Sequence, residues 1–460
     1  MDLNVVILAA GKGTRMKSNL PKVLQPLAKK PLLAHVLETS KNIQAQKIIV
    51  VYGYGGDQVK ETITAQFPDT PIEWVEQTEQ LGTGHAVQQA AHLLETNSRT
   101  LILYGDVPLI SEATLTRFLN EVQTGECGVV TVKLDNPTGY GRIVRDHAGV
   151  VSEIVEEKEA GTEIRKIQEV NTGIFLLDSI DVQEWLPKIN NKNSQGEYYL
   201  TDIVKIANQH DVPVVGCRVK NPIEIEGVND KSQLAKLERK YQRSIADDML
   251  QKGATLVDPD RFDVRGTLEI GSDCFIDVNA VFEGNVKLGN NVQIEPNCLL
   301  IDCEIGDNTI VRSNCVLESV KTADGCEIGP FARLRPGTNM LSGSSLGNFV
   351  ETKNITLGKG SKAKHLTYLG DAEIGQKVNI GAGTIVCNYD GANKHKTLIG
   401  DGVFVGSNSA LVAPINIGEQ ATVGAGSTVT KEVKANALTI TRAKQITIDT
   451  WKRPVKKPKK

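Results

Sequence analysis

Two glycines at GxG spacing, Gly11 and Gly13, follow the apolar run VVIL (5–8) in the stretch LAAGKGTRM. A strand that ends in such a loop can hold phosphate, because successive backbone N–H groups converge on an anion. The loop is neither of two common phosphate binders. A dinucleotide fingerprint needs glycine where Met16 stands, and a Walker A loop needs two glycines five apart, then Lys and Ser or Thr. The N–H groups of Gly11, Lys12, Gly13 and Thr14 could still wrap a phosphate chain, with Arg15 balancing its charge. Read alone, the same residues could form a plain tight turn. A second chemical group stands in YGD (104–106), where Asp106 follows the apolar run LILY. A carboxylate there suits Mg²⁺, which takes few protein oxygens and keeps phosphate and water ligands. The second half of the chain holds two histidines, His365 and His395. An imidazole with a reference pKa of ~6.5 is matched to removing a proton near neutral pH.

The elements that must position these groups divide the 460 residues by grammar. Residues 1–229 alternate apolar β-branched runs (IIVV at 48–51, GVVTV at 128–132, GIFLL at 173–177) with helix-like stretches such as HAVQQAAHLLE at 85–95. This predicts a Rossmann-like α/β domain with a largely parallel sheet. Ligands of such sheets bind beyond the carboxyl ends of the strands, where LAAGKGTRM and YGD both lie. Residues 230–252 place Leu234, Leu237, Tyr241, Ile245 and Met249 every three or four positions, and Gly253 follows. That spacing predicts one amphipathic linking helix.

From about residue 260 the period is six. Ile276, Phe282, Leu288, Ile294 and Leu300 are six apart, and so are Ile399, Val405, Leu411, Ile417, Val423 and Val429. This is the hexapeptide repeat of a parallel β-helix, in which three hexads make one coil and each aliphatic residue stacks on its copy in the next. About 165 residues predict roughly nine coils, at ~4.8 Å per coil a prism about 40 Å long. The period does not reveal handedness; hexads in known proteins go with left-handed coils, an exception to the usual crossover rule. The repeat breaks at FARLRPGTNMLSGSS (331–345) and at IVCNYDGANKHKT (385–397), where a loop must leave the prism. Residues 253–460 are thus expected to form the β-helix domain, ending in the basic tail WKRPVKKPKK. That tail reads as solvated charge, with a weak anionic contact as the alternative.

Composition excludes several classes. A net charge of −3 disfavours a nucleic-acid face. The early run VVILAA is too short to span a bilayer, and no basic segment precedes it. Eight scattered cysteines with no CxxC fit a reduced cytoplasmic protein better than a disulfide or zinc scaffold.

With these pieces assembled, LAAGKGTRM, PKVL (21–24), QLGTGHA (80–86), YGDVPL (104–109), GYGRI (139–143), NTGIF (171–175), EYYLTD (197–202) and EGVND (226–230) resemble the sugar-nucleotide pyrophosphorylases. Joined to hexads bearing KAKHLTYLGD (362–371), VNIGAGT (378–384) and CNYDG (387–391), nearly the whole chain resembles a bacterial bifunctional family. Its members unite an N-acetylglucosamine-1-phosphate uridylyltransferase with a glucosamine-1-phosphate acetyltransferase. The resemblance implies that Leu8, Ala9 and Ala10 lead into a loop for the triphosphate of UTP, and that Lys22 contacts the phosphates. It makes Asn229 the second Mg²⁺ ligand beside Asp106. It places Gln77, Gly82 and Thr83 at the uracil. Tyr104, Gly105, Gly141, Glu156 and Asn171 would hold ribose and N-acetylglucosamine-1-phosphate. Glu157 beside Glu156 leaves open which of the two faces the sugar.

In the hexad half the resemblance makes His365 the general base toward the amine of glucosamine-1-phosphate. Arg335, Lys353, Tyr368 and Asn379 would bind that phosphosugar. Ala382, Asn388, Tyr389, Ser407, Ala425 and Arg442 would line the groove for acetyl-CoA. Direct attack on a thioester needs no enzyme nucleophile, so Cys387 is not required as one and a ternary complex is expected. The tetrahedral oxyanion needs an N–H donor, which the CNYDG loop could supply. The product would be UDP-N-acetylglucosamine, the amino-sugar donor for cell-wall synthesis. Such β-helices typically form homotrimers with acyl-CoA sites between neighbours. The two sites are expected to lie apart, with the intermediate released and rebound. A pyrophosphorylase for another sugar or base would leave KAKHLTYLGD unexplained. A zinc hydratase would need about three histidines per metal where two exist. A non-enzymatic scaffold would have no use for Lys22, Asp106 and His365.

Overall fold

The computed structural model describes residues 1–456. The last four residues of the basic tail lie outside the described residues. The chain divides into two compact units, Met1–Tyr241 and Gln242 onward. The division falls inside the helix Lys231–Gln251. On its first half Leu237 is buried with Met16, Leu27, Leu32 and Val228. On its second half Ala246 and Met249 join the β-helix core, and Gln242 exchanges two hydrogen bonds with the backbone of Val264, at 2.9 and 2.7 Å.

The first unit is built on a nine-stranded sheet. Strand Asp2–Ala9 runs at its centre, parallel to Lys47–Tyr52 on one side and Ser98–Tyr104 on the other. Its unbroken apolar run has a reason. Val5, Ile7 and Ala9 enter the core on one face of the sheet, while Val6 and Leu8 enter the core on the other. The expected parallel order is broken by two reversed strands, Val151–Val155, which runs antiparallel to Arg142–Arg145, and Glu169–Asp178. Strand Glu169–Asp178 runs antiparallel to both Ser98–Tyr104 and Cys127–Lys133, so the sheet is mixed.

The second unit is a left-handed β-helix of hexapeptide repeats. One face carries eleven short parallel strands, from Thr255–Leu256 to Leu438–Thr439. Inward residues stack rung on rung: Ile276 on Ile294, Ile294 on Val311, Val311 on Ile328. The prism exceeds the nine coils counted from hexads because its rungs run from Thr255–Leu256 to Leu438–Thr439, beyond the strictly periodic stretch, and most coils take 17 or 18 residues. Ile380 stacks on Val405, and the eight extra residues of that coil are the expelled loop.

Candidate functional site

The first candidate site is a cleft of about 260 Å³ at the carboxyl ends of strands Asp2–Ala9 and Ser98–Tyr104. Leu8, Ala9, Ala10, Gly11, Lys22, Gln77, Gly82, Thr83, Tyr104 and Asp106, all among the candidate residues named from the sequence, line it. Val23, Gln80, Ala86 and Glu197 also line it and were not foreseen. Register explains the gathering. Leu8 lies beside Tyr104, and the Gly105 N–H donates to the Leu8 carbonyl at 2.9 Å. The Val228 N–H donates to the Asp106 carbonyl at 3.0 Å, which brings Asn229 to the same point. The EYYLTD segment buttresses the opposite wall: Tyr198 N–H bonds the Leu81 carbonyl, and Gly84 N–H bonds the Tyr198 carbonyl, both at 2.8 Å.

The loop residues Lys12, Thr14 and Arg15 are exposed at the mouth. Lys22 Nζ contacts the Asp106 carboxylate and lies 3.4 Å from Asn229 Oδ1, and Arg15 Nη2 donates to that same oxygen at 3.0 Å. One carboxylate and one amide oxygen thus face a point where positive charge already sits. These are hard donors suited to Mg²⁺. Among the described residues there is no group of three or more His, Cys, Asp or Glu for a metal, so phosphate and water would complete the coordination here. Gln77 is buried, with Nε2 bonded to the Gly82 carbonyl at 3.2 Å and 3.0 Å from His85 Nδ1. Thr83 Oγ1 accepts from the Leu200 N–H at 3.2 Å. Burial drives the Tyr104 hydroxyl well above its usual pKa.

Gly141, Glu156 and Asn171 also meet. The Asn171 N–H donates to the Gly141 carbonyl at 2.8 Å, and the Glu156 carboxyl lies beside Gly141. The two glutamates have different partners. Glu157 is paired with the buried Arg142 at 2.7 Å. Glu156 accepts from Thr201 Oγ1 at 3.1 Å and lines a polar hollow of about 460 Å³. Burial pushes its carboxyl pKa up.

The second candidate site lies on the prism. His365 ends strand Lys362–His365 and is exposed. The ladder continues through it. The His365 carbonyl accepts from Gly383, that of Ala382 from Asn408, and that of Ser407 from Gly426. His365, Ala382, Ser407 and Ala425 therefore follow one another rung by rung along one corner. Arg442 reaches back to the Ala425 carbonyl at 3.0 Å. One rung before His365 stands Asn348, whose Oδ1 is 2.8 Å from His365 Nδ1. Sequence reasoning missed Asn348; the coil length of 17 residues was the signal that could have found it.

The neighbouring face gathers cations. Lys353 pairs in register with Gly370, and Glu351 with Tyr368. Arg335 is held by Glu351 at 3.0 Å. Lys394, from the expelled loop, contacts Lys353, and together with Arg335 it lowers the Lys353 ammonium pKa. Lys394 was not foreseen either. Gly370 is required there by close approach: a Cβ would stand 2.4 Å from the Tyr368 hydroxyl and 2.8 Å from the Asn388 amide nitrogen. Asn388 Nδ2 donates to Asp371 at 2.5 Å, and Tyr389 packs its hydroxyl on the Gly391 carbonyl, also at 2.5 Å. Asn379 lies on the His365 face, and among the described residues no side-chain hydrogen bond joins it to the Arg335–Lys353 cluster. All eight cysteines are free; Cys387 is half-buried and the others are buried. No helix among the described residues is long and apolar enough to cross a membrane.

Family models agree with this geometry. A MobA-like NTP transferase domain matches residues 5–169. A bacterial transferase hexapeptide of six repeats matches 268–301, and a hexapeptide repeat of succinyl-transferase matches 396–431. The bifunctional protein GlmU of Marinobacter nauticus is 53% identical over 454 residues, covering 99% of each chain. That of Acinetobacter baumannii is 53% identical over 456 residues, again covering 99% of each. An α/β nucleotidyltransferase unit joined to a hexapeptide β-helix, matched end to end at this identity, makes the chain a member of the GlmU family of bifunctional proteins.

Proposed function

We propose that this chain makes UDP-N-acetylglucosamine in two steps, one in each unit. Acetyl-CoA first acetylates the amine of glucosamine-1-phosphate on the β-helix. The product, N-acetylglucosamine-1-phosphate, then attacks UTP in the α/β unit, and pyrophosphate leaves. The observation that carries this reading is the oriented imidazole of His365 next to a face bearing Arg335, Lys353 and Lys394. A plain nucleotidyltransferase has no use for that arrangement.

An ammonium has no lone pair, so acetyl transfer needs the amine deprotonated. With Nδ1–H donating to Asn348, the lone pair of His365 is on Nε2, which takes the amine proton as nitrogen attacks the thioester carbon. The thiol of CoA then leaves. Arg335, Lys353 and Lys394 supply charge for the sugar phosphate, and Tyr368 and Asn379 contact the sugar. The small side chains of Ala382, Ser407 and Ala425 leave a path along the corner for the pantetheine arm. Asn388, Tyr389 and Arg442 flank that path.

In the other cleft the attacking phosphate oxygen is already ionised and needs no base. The loop from Gly11 to Thr14, with Arg15 and Lys22, neutralises and aligns the phosphates. Asp106 and Asn229 would hold Mg²⁺, which when bound offsets phosphate repulsion and polarises the α-phosphorus. Gln77, Gly82 and Thr83 read the uracil. Tyr104, Gly141, Glu156 and Asn171 hold ribose and sugar. The protein works in the cytoplasm as a homotrimer.

The test is to supply glucosamine-1-phosphate, acetyl-CoA, UTP and Mg²⁺ and follow the products by mass spectrometry. The acetylated sugar phosphate should appear first, then UDP-N-acetylglucosamine. His365→Ala should slow acetylation by ~10²–10⁴-fold and leave uridylyl transfer intact. No turnover with either substrate pair would sink the reading.

A further inference from the structure

We propose that Lys22 and Arg15 occupy the two metal-type oxygens of the free protein, so that divalent metal is admitted only together with triphosphate. The inference rests on the uridylyl-transfer reading above and concerns the order in which that site fills.

Three contacts define the resting state. Lys22 Nζ sits on the Asp106 carboxylate, with Asn229 Oδ1 at 3.4 Å, and Arg15 donates to that amide oxygen at 3.0 Å. The side chains of Lys22 and Asp106 keep only 13% and 16% of their surface in contact with solvent. A carboxylate this sheltered is costly to leave unpaired, and a nearby cation offsets the cost. A divalent ion entering alone would have to displace one ammonium and stand close to it, with no anion to receive the displaced charge. Like charges at such a distance repel strongly in a sheltered site.

Triphosphate removes the obstacle. Its anionic oxygens are better partners for Lys22 and Arg15 than one carboxylate and one amide. The loop also touches the lysine directly. Gly13 has φ +58°, and a Cβ there would stand 2.7 Å from the Lys22 Cβ, so the phosphate loop lies against the lysine stem. Phosphate in that loop meets Lys22 at once. As Lys22 and Arg15 turn to phosphate, Asp106 and Asn229 are freed for the metal that travels with the nucleotide. The exchange replaces one ion pair and one cation–amide hydrogen bond with cation–phosphate and metal–oxygen contacts, and at no stage strands a lone charge.

The test measures Mn²⁺ binding to the nucleotide-free, full-length protein by electron paramagnetic resonance. Lys22→Met keeps the stem against Gly13 and removes the charge; Lys22→Gln serves if the first variant misfolds. The charge-free variant should bind Mn²⁺ on the order of tenfold more tightly than wild type. Adding Asp106→Asn to it should abolish the gain. Equal affinity in wild type and variant, with Asp106→Asn abolishing both, overturns the exchange but keeps Asp106 as a metal ligand. Mn²⁺ binding that survives Asp106→Asn overturns both the exchange and the metal assignment.

Discussion

Asn348 decides which imidazole nitrogen of His365 can act. Its Oδ1 accepts a hydrogen bond from Nδ1–H, which leaves Nε2 as the base and steadies the imidazolium formed in the reaction. Asn348→Ala should therefore lower kcat for acetylation by about one hydrogen bond, roughly 3- to 10-fold, with KM for acetyl-CoA and uridylyl transfer unchanged. Steady-state kinetics on both half-reactions checks it. Much of each site was legible at this scale because the chemistry sits in short contiguous motifs such as LAAGKGTRM and KAKHLTYLGD. Asn348 was not, since its link to His365 is a contact between rungs and every rung of a repeat offers such neighbours. The choice between Glu156 and Glu157 was also closed to sequence. Both carboxylates are compatible with a sugar site until the buried Arg142 is seen to claim one of them.

The expelled loop shows how one element serves the site. Asp390 caps it from within: its carboxylate accepts from the N–H groups of Ala392 and Asn393 at 2.8 and 2.7 Å and pairs with His395 at 2.6 Å. These bonds hold the Asp390 pKa well below the usual carboxylate range. A depressed carboxylate stabilises the loop fully above its unfolded pKa of ~3.9 and loses that effect as pH falls through the lower folded value. The closed loop should thus persist across neutral and mildly acidic pH and open only in strong acid. Asp390→Ala should remove the clasp at any pH. We expect faster amide exchange at residues 392 and 393, and a raised KM for glucosamine-1-phosphate because Lys394 sits on the same loop. Unchanged exchange would show that the loop is held otherwise. The loop itself was legible as a break in the hexads, since an expelled segment cannot keep the period of six. The reversed strand Glu169–Asp178 was not, because a doubly buried strand is an unbroken apolar run in either direction.

At the scale of the whole molecule, one corner of the prism calls for a partner. Phe331, Phe349 and Leu366 follow one another there with φ of 56°, 55° and 48°, a conformation costing a residue with a side chain roughly 1–2 kcal/mol. The same corner carries Asn297, Asn314 and Asn408 on other rungs, residues that tolerate it. Yet the three apolar side chains are 51%, 56% and 60% exposed, and the two rings stack at 5.5 Å. In the homotrimer proposed above, a second copy of the prism would cover them. Phe349→Glu should shift the mass measured by light scattering from a trimer toward the 49.9 kDa monomer and depress acetylation, whose groove is expected between copies, more than uridylyl transfer. The two proposed chemistries share only a small sugar phosphate, and the residues proposed for each belong to different units of the chain. Nothing in either step requires the intermediate to stay on one chain. A mixture of His365→Ala with Asp106→Asn chains should therefore make UDP-N-acetylglucosamine from glucosamine-1-phosphate at a rate that neither variant approaches alone. The nucleotide sugar should follow a lag while free N-acetylglucosamine-1-phosphate accumulates, and the lag should shorten as acetylating chains are added. Discontinuous sampling by mass spectrometry reads both species. A mixture that stays silent, while each variant keeps its remaining activity, would mean that the intermediate passes between sites without release.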